Sequence, residues 1–278
     1  GPCMKACPGH TDCQGYVGLV ANGEFEKANE LIKDKIPLPA CIGRVCPHPC
    51  EDACRRGLVD EPISIAMIKR FAGDMDIAAE ERFIPDMEED TGKTVAIIGG
   101  GPMGLSAAYF LRQRGHEVTI FDSMPKLGGM LRYGIPEYRL PKEVLDAEIA
   151  IMEAMGIQIV PNTKVGVDIP LDTIRNDFDA VVLGIGAWLS TGVGCPGEDA
   201  EGVIGGIDFL RRVVRNEYID LGKNVAIVGG GNTAMDACRT AVRLGAENVY
   251  NIYRRTKHEM PADMIEIEEG EEEGVIFK

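Results

Sequence analysis

A strand, a glycine turn and a helix occur twice in this chain, and the repetition constrains its fold more than any other feature. The first copy, KTVAIIGGGPMGLSAAYFLRQRGHEVTIFD, starts at Lys93; the second, KNVAIVGGGNTAMDACRTAVRLGAENVYNIYRR, starts at Lys223, about 130 residues later. Each opens with an apolar run of strand length, turns on three glycines, and continues with helical periodicity into a further apolar run. Two mononucleotide-binding βαβ units are therefore expected, with a loop, a helix and strands between them.

In the first unit Gly99, Gly101 and Gly104 satisfy G-x-G-x-x-G between the strand Val95 to Ile98 and an alanine-rich helix. The first glycine permits the tight turn, the second lets backbone approach a pyrophosphate, and the third lets helix and strand pack closely. The helix N-terminus aims free N–H groups at that anion, and Asp122, ending the next strand, is placed to accept from ribose hydroxyls. A phosphate-free tight turn is the competing reading. In the second unit Gly229, Gly231 and Ala234 give G-x-G-x-x-A, and Arg254-Arg255 stand where the first unit has Asp122. Two guanidinium groups there offer a 2′-phosphate charge-assisted bidentate hydrogen bonds, which favours NADP over NAD. The alternative is a solvated arginine pair on a loop.

Residues 1 to about 90 differ in texture. GYVGLVANGEFEKANELIKDK and PISIAMIKRFAGDM carry apolar residues at helical spacing, and no β-alternation is evident. Seven of the nine cysteines fall between Cys3 and Cys54, with Cys46, Cys50 and Cys54 on a four-residue beat in CIGRVCPHPCEDACRRG. An oxidising compartment would make these disulfides and a reducing one metal ligands. The nucleotide signatures point to a cytoplasmic chain, so ligation is expected. Cys46, Cys50 and Cys54 supply three corners of an iron–sulfur cluster, with Pro47 and Pro49 interrupting helix between the first two. A fourth comes from elsewhere, and CMKACPGHTDC offers Cys3, Cys7 and Cys13. A zinc site drawing on His48 is the alternative, although zinc favours C-x2-4-C pairs separated by a longer gap. Cys41 and Cys238 read as buried core thiols, and Cys195 as a loop residue.

The formal net charge of -15 makes nucleic-acid binding a poor expectation, because that rests on neutralising phosphates with Lys and Arg. No run of about eighteen apolar residues is present, so no membrane insertion is expected. Seven acids between Asp263 and Glu273 read as a solvated helical face.

Taken together, GRVCPHPCEDACRRG, GGGPMGLSAAYFL, GGMLRYGIPEYRLP, PGEDAEGV, VGGGNTAMD and YRRTKHEMPA occur in the order found in a known family. The chain resembles, from Cys3 to its last residue, the flavin and iron–sulfur reductases typified by the glutamate synthase small subunit and the amino-terminal half of dihydropyrimidine dehydrogenase. The resemblance implies an α/β fold in three parts: a helical [4Fe-4S] domain over 1–91, an FAD-binding Rossmann-like domain over 92–190, and an NAD(P)H-binding Rossmann-like domain over 191–278. It further implies FAD held by Gly99, Gly101, Gly104, Asp122, Gly129 and Leu131, and NADPH held by Gly231, Asn232, Thr233, Arg254 and Arg255.

The family's upstream group looks like C-x2-C-x4-C-x3-C-P, whose last two ligands match Cys3 and Cys7-Pro8. Its first two have no counterpart, so either they lie before Gly1 or Cys13 and Cys41 take their place; one cluster or two is left open. Relatives can complete a cluster with a non-cysteine ligand downstream, but the aligned stretch IAMIKRF offers only Lys69, a poor ligand. The resemblance also implies that both Rossmann-like domains are incomplete here, the chain stopping at EEEGVIFK within the NADPH domain.

The chemistry so implied is NADPH-dependent electron transfer through FAD and [4Fe-4S] clusters to a partner, either a glutamate synthase large subunit-like chain or ferredoxin. It demands no side-chain general base, and none is expected among His10, His48, His116 and His258. A ferredoxin:NADP oxidoreductase of the bifurcating type, or a non-catalytic assembly module, are the alternatives.

Overall fold

The computed structural model describes residues 1–278 as two compact units: Gly1–Leu131 with Glu137–Gly186, and Arg132–Pro136 with Ala187–Lys278. No helix is long and apolar enough to cross a membrane.

The first unit begins with six helices: α1 (Pro2–Ala6), α2 (Cys13–Ala21), α3 (Phe25–Lys33), α4 (Pro39–Val45), α5 (Pro49–Asp52) and α6 (Ile65–Ala78). Local chemistry sets several of their starts. The Asp12 carboxylate caps α2 by accepting the Gly15 N–H at 3.0 Å. Pro39 and Pro49 open α4 and α5, where a missing N–H costs nothing and a fixed φ is already helical. Helices α4 and α6 touch backbone to backbone: a Cβ on Gly43 would stand 2.5 Å from Arg70 Cα, and one on Gly73 2.5 Å from Ala40 N.

The sheet follows, built from β1 (Thr94–Ile98), α7 (Pro102–Gln113), β2 (Glu117–Phe121), α8 (Met130–Tyr133), α9 (Lys142–Ala154), β3 (Gln158–Val160), α10 (Leu171–Asp177) and β4 (Ala180–Leu183). Its four strands run parallel in the order β3-β2-β1-β4, with Ile98 in register with both Phe121 and Leu183. Parallel strands covered by helices carry near-continuous apolar runs, as VAII here does. The helical layer is tied to the sheet layer by Glu148 of α9, whose two carboxylate oxygens accept the Ala40 and Cys41 N–H groups at 2.8 and 2.9 Å. Within the helical layer, α3 is joined to α6 by the buried ion pair of Lys33 Nζ with Asp76 Oδ2 at 2.9 Å.

The second unit contains α11 (Gly206–Val214), β5 (Asn224–Val228), α12 (Asn232–Arg243), β6 (Asn248–Ile252), α13 (Met264–Glu272) and β7 (Ile276–Phe277), its parallel strands ordered β5-β6-β7. Its core gathers Met235, Cys238, Val249, Ile267 and Val275. One sequence expectation is corrected here. The acids from Asp263 to Glu273 do not simply face solvent: Glu266, Glu269 and Glu273 converge on the buried guanidinium of Arg239, and Glu273 also pairs with Arg243. A guanidinium buried on α12 needs several carboxylate acceptors, and α13 brings them.

Candidate functional site

In the first unit the glycine loop leaves β1 at Gly99, where φ is +106° and the N–H donates to the Phe121 carbonyl at 2.8 Å. A side chain there would meet the Gly184 carbonyl oxygen at 2.4 Å, so this turn excludes one by strain and by contact. A Cβ on Gly104 would lie 1.9 Å from the Gly99 carbonyl oxygen, which is the close helix–strand approach expected of the third glycine. Gly101 caps α7, leaving the first N–H groups of that helix unpaired within it.

The segment after β2 folds back over this loop. Gly128 N–H donates to the Gly100 carbonyl at 2.8 Å, and a Cβ on Gly129 would fall 2.7 Å from Gly101 Cα. Leu127 and Leu131 are buried beside it. All six residues expected at the first site thus meet around one cradle. Asp122 is buried and already braces that cradle, its Oδ2 accepting the Gly100 N–H at 2.6 Å and its Oδ1 the Met124 N–H at 2.7 Å. A carboxylate has about four acceptor positions, so two remain for ribose hydroxyls.

The second loop has the same plan with different fittings. Gly229, at φ +144°, donates its N–H to Ile252, and the Asn251 amide clamps the Gly229 carbonyl at 2.9 Å. Space beside Gly231 is open: a Cβ there would meet nothing within 4 Å, leaving backbone free for a diphosphate to approach. Thr233 is exposed, and Asn232 Oδ1 accepts the Asp263 N–H at 2.9 Å. Arg254 and Arg255 follow β6 and are exposed. Both loops fit the diphosphate of a dinucleotide.

The cysteines sort differently from their spacing. Cys3, Cys13 and Cys50 share a buried core with Tyr16, Ile32 and Ile65, and Cys7 packs against it. Cys46 and Cys54 are half-buried outside that core, and none of the nine forms a disulfide. Backbone N–H groups point at several sulfurs. Cys46 Sγ accepts from His48 N at 3.4 Å, a donation made possible by the left-handed backbone of His48 at φ +40°. Burial pushes the Cys7 thiol up, but N–H groups of Thr11 and Gly9 and the Thr11 hydroxyl outweigh it and hold it below its ordinary value. Cys54 is lowered by N–H groups of Ile63, Arg56 and Gly57. Cys50 is pushed up to about 12, chiefly by burial.

These arrangements suit thiolates held for an iron–sulfur cluster, whose sulfurs accept such hydrogen bonds. The family resemblance had matched Cys3 and Cys7 beside Cys46, Cys50 and Cys54 and left Cys13 as an alternative; the donation from the His48 backbone was not anticipated. The left-handed backbone of His48, seen only in the fold, has no signal in the sequence, since a residue before proline favours the extended region.

Known proteins share this layout. Residues 93–278 match the pyridine nucleotide-disulphide oxidoreductase family, and residues 1–81 match the family described as dihydropyrimidine dehydrogenase domain II, 4Fe-4S cluster. The NADP(+)-dependent formate dehydrogenase subunit beta of Moorella thermoacetica is 44% identical over 300 residues, covering 99% of this chain and 42% of that protein. The glutamate synthase [NADPH] small chain of Escherichia coli is 39% identical over 291 residues, covering 99% of this chain and 61% of its own length. The chain therefore spans about two fifths to three fifths of these relatives. Among solved structures, Mycobacterium tuberculosis FprA in complex with NADPH superposes with a TM-score of 0.56 at 22% identity, over 65% of this chain and 47% of that one, a likeness of fold.

Proposed function

This chain belongs to the pyridine nucleotide-disulphide oxidoreductase family, and from that premise we propose that it is the NADPH-linked electron-transfer part of a larger oxidoreductase. The observation that carries the reading is the tandem arrangement itself. Thiol-rich helices precede one glycine loop closed by an acid, Asp122, and then a second loop closed by Arg254-Arg255. When bound, FAD supplies the conversion of a hydride into single electrons, and a [4Fe-4S] cluster supplies their way out.

The residues divide that work. Gly99, Gly101 and Gly104 hold the flavin dinucleotide's diphosphate against the start of α7, Asp122 takes its ribose, and Gly129 and Leu131 close the cradle. Gly231, Asn232 and Thr233 present the start of α12 to NADPH, and the two exposed arginines select its 2′-phosphate. Cys3, Cys7, Cys46, Cys50 and Cys54 supply thiolates. The partner is a catalytic subunit that consumes or delivers the electrons, of the kind found with a glutamate synthase small chain or a formate dehydrogenase beta subunit.

The test is anaerobic mixing of the flavin-loaded protein with NADPH or NADH, following flavin absorbance. NADPH is expected to bleach it at far lower concentration. Replacing Arg254→Ala and Arg255→Ala together removes about 2 kcal/mol of charge-assisted bonding, roughly 30-fold in the NADPH concentration required, with little change for NADH. An equal loss for both nucleotides would remove the arginines from this role.

A further inference from the structure

Asn251 is a polar side chain in an apolar place. It lies in β6 with 1% of its surface exposed, on the same strand face as Val249, which belongs to the core of the second unit. Strand register gives it a counterpart in the first unit. Asn251 pairs with Ile227, two residues before the first glycine of the second loop, as Ile120 pairs with Ile97, two residues before Gly99. Stability does not explain the amide: its Oδ1 has no hydrogen-bond partner, and an orphaned buried oxygen costs free energy that an isoleucine would not. Its Nδ2 donates to the Gly229 carbonyl at 2.9 Å, with the Cys238 sulfur 3.7 Å away.

That carbonyl belongs to the peptide joining Gly229 to Gly230, and the two loops hold this peptide from opposite ends. In the first loop the N–H end is held, Gly100 donating to Asp122 Oδ2 at 2.6 Å. In the second the carbonyl end is held by Asn251, and the Gly230 N–H has no acceptor in the protein although Gly230 is buried. A trans peptide sets N–H and C=O opposite each other, so this N–H points away from Asn251. A buried backbone donor left open is a place for an acceptor.

Without the amide the peptide plane is poorly fixed, because glycine on both sides lets it turn over. Nor can the carbonyl settle as in the first loop. A Cβ on Gly104 would lie 1.9 Å from the Gly99 oxygen, and Ala234 carries that Cβ. The first glycines differ accordingly, with φ of +106° at Gly99 and +144° at Gly229.

We infer that Asn251 is a positioning residue for the nicotinamide dinucleotide: by holding the Gly229 carbonyl it presents the Gly230 N–H to the diphosphate. The inference rests on the NADPH reading above and adds to it a residue that acts from behind the loop.

The full chain, purified anaerobically with its flavin as wild type, Asn251→Leu, Asn251→Ala and Cys238→Ala, is titrated with NADP+ by calorimetry, and its flavin is bleached with NADPH and with NADH. Asn251→Leu is expected to weaken NADP+ binding about 10-fold, the magnitude of one hydrogen bond to a charged group. The NADPH and NADH concentrations for half-bleaching should rise by the same factor, because both nucleotides carry the diphosphate. Bleaching rate at saturating NADPH, flavin content and urea midpoint are expected to stay as in wild type. Cys238→Ala removes the other neighbour of the amide and is expected to bind NADP+ as wild type does. Should Asn251→Leu fail to fold, Asn251→Ala, which adds no bulk, decides. NADP+ affinity within about twofold of wild type in a folded Asn251 variant would overturn the inference. So would a loss confined to NADPH, or one that comes only with lowered flavin content and urea midpoint. Absence of NADP+ binding by the wild type would instead overturn the NADPH reading itself.

Discussion

Gly104 and Ala234 hold the same place in the two glycine loops, and the structure predicts that exchanging their side chains has unequal cost. In Gly104→Ala the new Cβ would sit 1.9 Å from the Gly99 carbonyl oxygen and 3.2 Å from Ile97 Cγ2. An ordinary C···O contact is more than an ångström longer, so either the Gly99 peptide or the start of α7 must move. The peptide is pinned: its N–H is bonded to Phe121 and its α-carbon faces the Gly184 carbonyl. The helix is pinned too, since Leu105, Ala108 and Tyr109 are buried on its inner face. Overpacking of this kind costs up to about 3 kcal/mol, and one displaced backbone hydrogen bond adds about 1 kcal/mol. The better helix propensity of alanine returns about 1 kcal/mol. The net is about 3 kcal/mol, a large share of a typical stability of about 5–15 kcal/mol.

Ala234 sits in a loop that already accommodates its methyl, 3.4 Å from where a Gly229 Cβ would stand. Ala234→Gly therefore costs only the propensity difference, about 1 kcal/mol. Urea unfolding followed by far-UV circular dichroism, with flavin content measured alongside, reads both variants. Gly104→Ala should lose more stability and more flavin than Ala234→Gly. Stability within about 0.5 kcal/mol of wild type and full flavin in Gly104→Ala would refute the claim that helix and strand meet backbone to backbone there.

Two further variants probe how the helical layer is held. Lys33→Met leaves the buried Asp76 carboxylate with the Arg82 guanidinium at 3.5 Å and the Phe83 N–H at 2.8 Å, and should cost about 3 kcal/mol in urea unfolding; adding Asp76→Asn should recover part of that. No recovery in the double variant would mean that the charge pair is not the cause. Glu148 is pushed above the usual carboxylate range by burial, against hydrogen bonds from Cys41 and Ala40. A raised folded value means that its favourable contribution is present at low pH and lost as pH rises through that value. The stability advantage of wild type over Glu148→Gln should therefore shrink as pH rises above the ordinary carboxylate value. An advantage that stays level or grows over that range would show the carboxylate to be comfortably ionised where it stands.

The nucleotide loops were legible in sequence because each glycine there answers a local demand: Gly99 a positive φ, Gly104 a contact five residues back along the chain. The helices before Lys93 were legible for the same kind of reason, a periodicity that needs no distant partner. What escaped sequence reading depends on residues far apart in the chain. Glu148 meets Ala40 across 108 positions, and the acids of α13 reach Arg239 across about 30. Cys13 shares a core with Cys50 because Tyr16 meets Ile65, 49 positions away; no count of spacings among cysteines reveals that. Spacing had grouped Cys46, Cys50 and Cys54 by their four-residue beat, whereas in the fold Cys50 turns inward while the other two lie nearer the surface.

The most direct test of the account is the content of iron, acid-labile sulfide, zinc and flavin in anaerobically purified protein, with absorption spectra before and after NADPH. The account predicts iron and sulfide in equal amounts near four or about eight per chain, flavin present, and bleaching by NADPH. Zinc without sulfide or flavin would contradict it, and would make the cysteine-rich helices a structural metal domain.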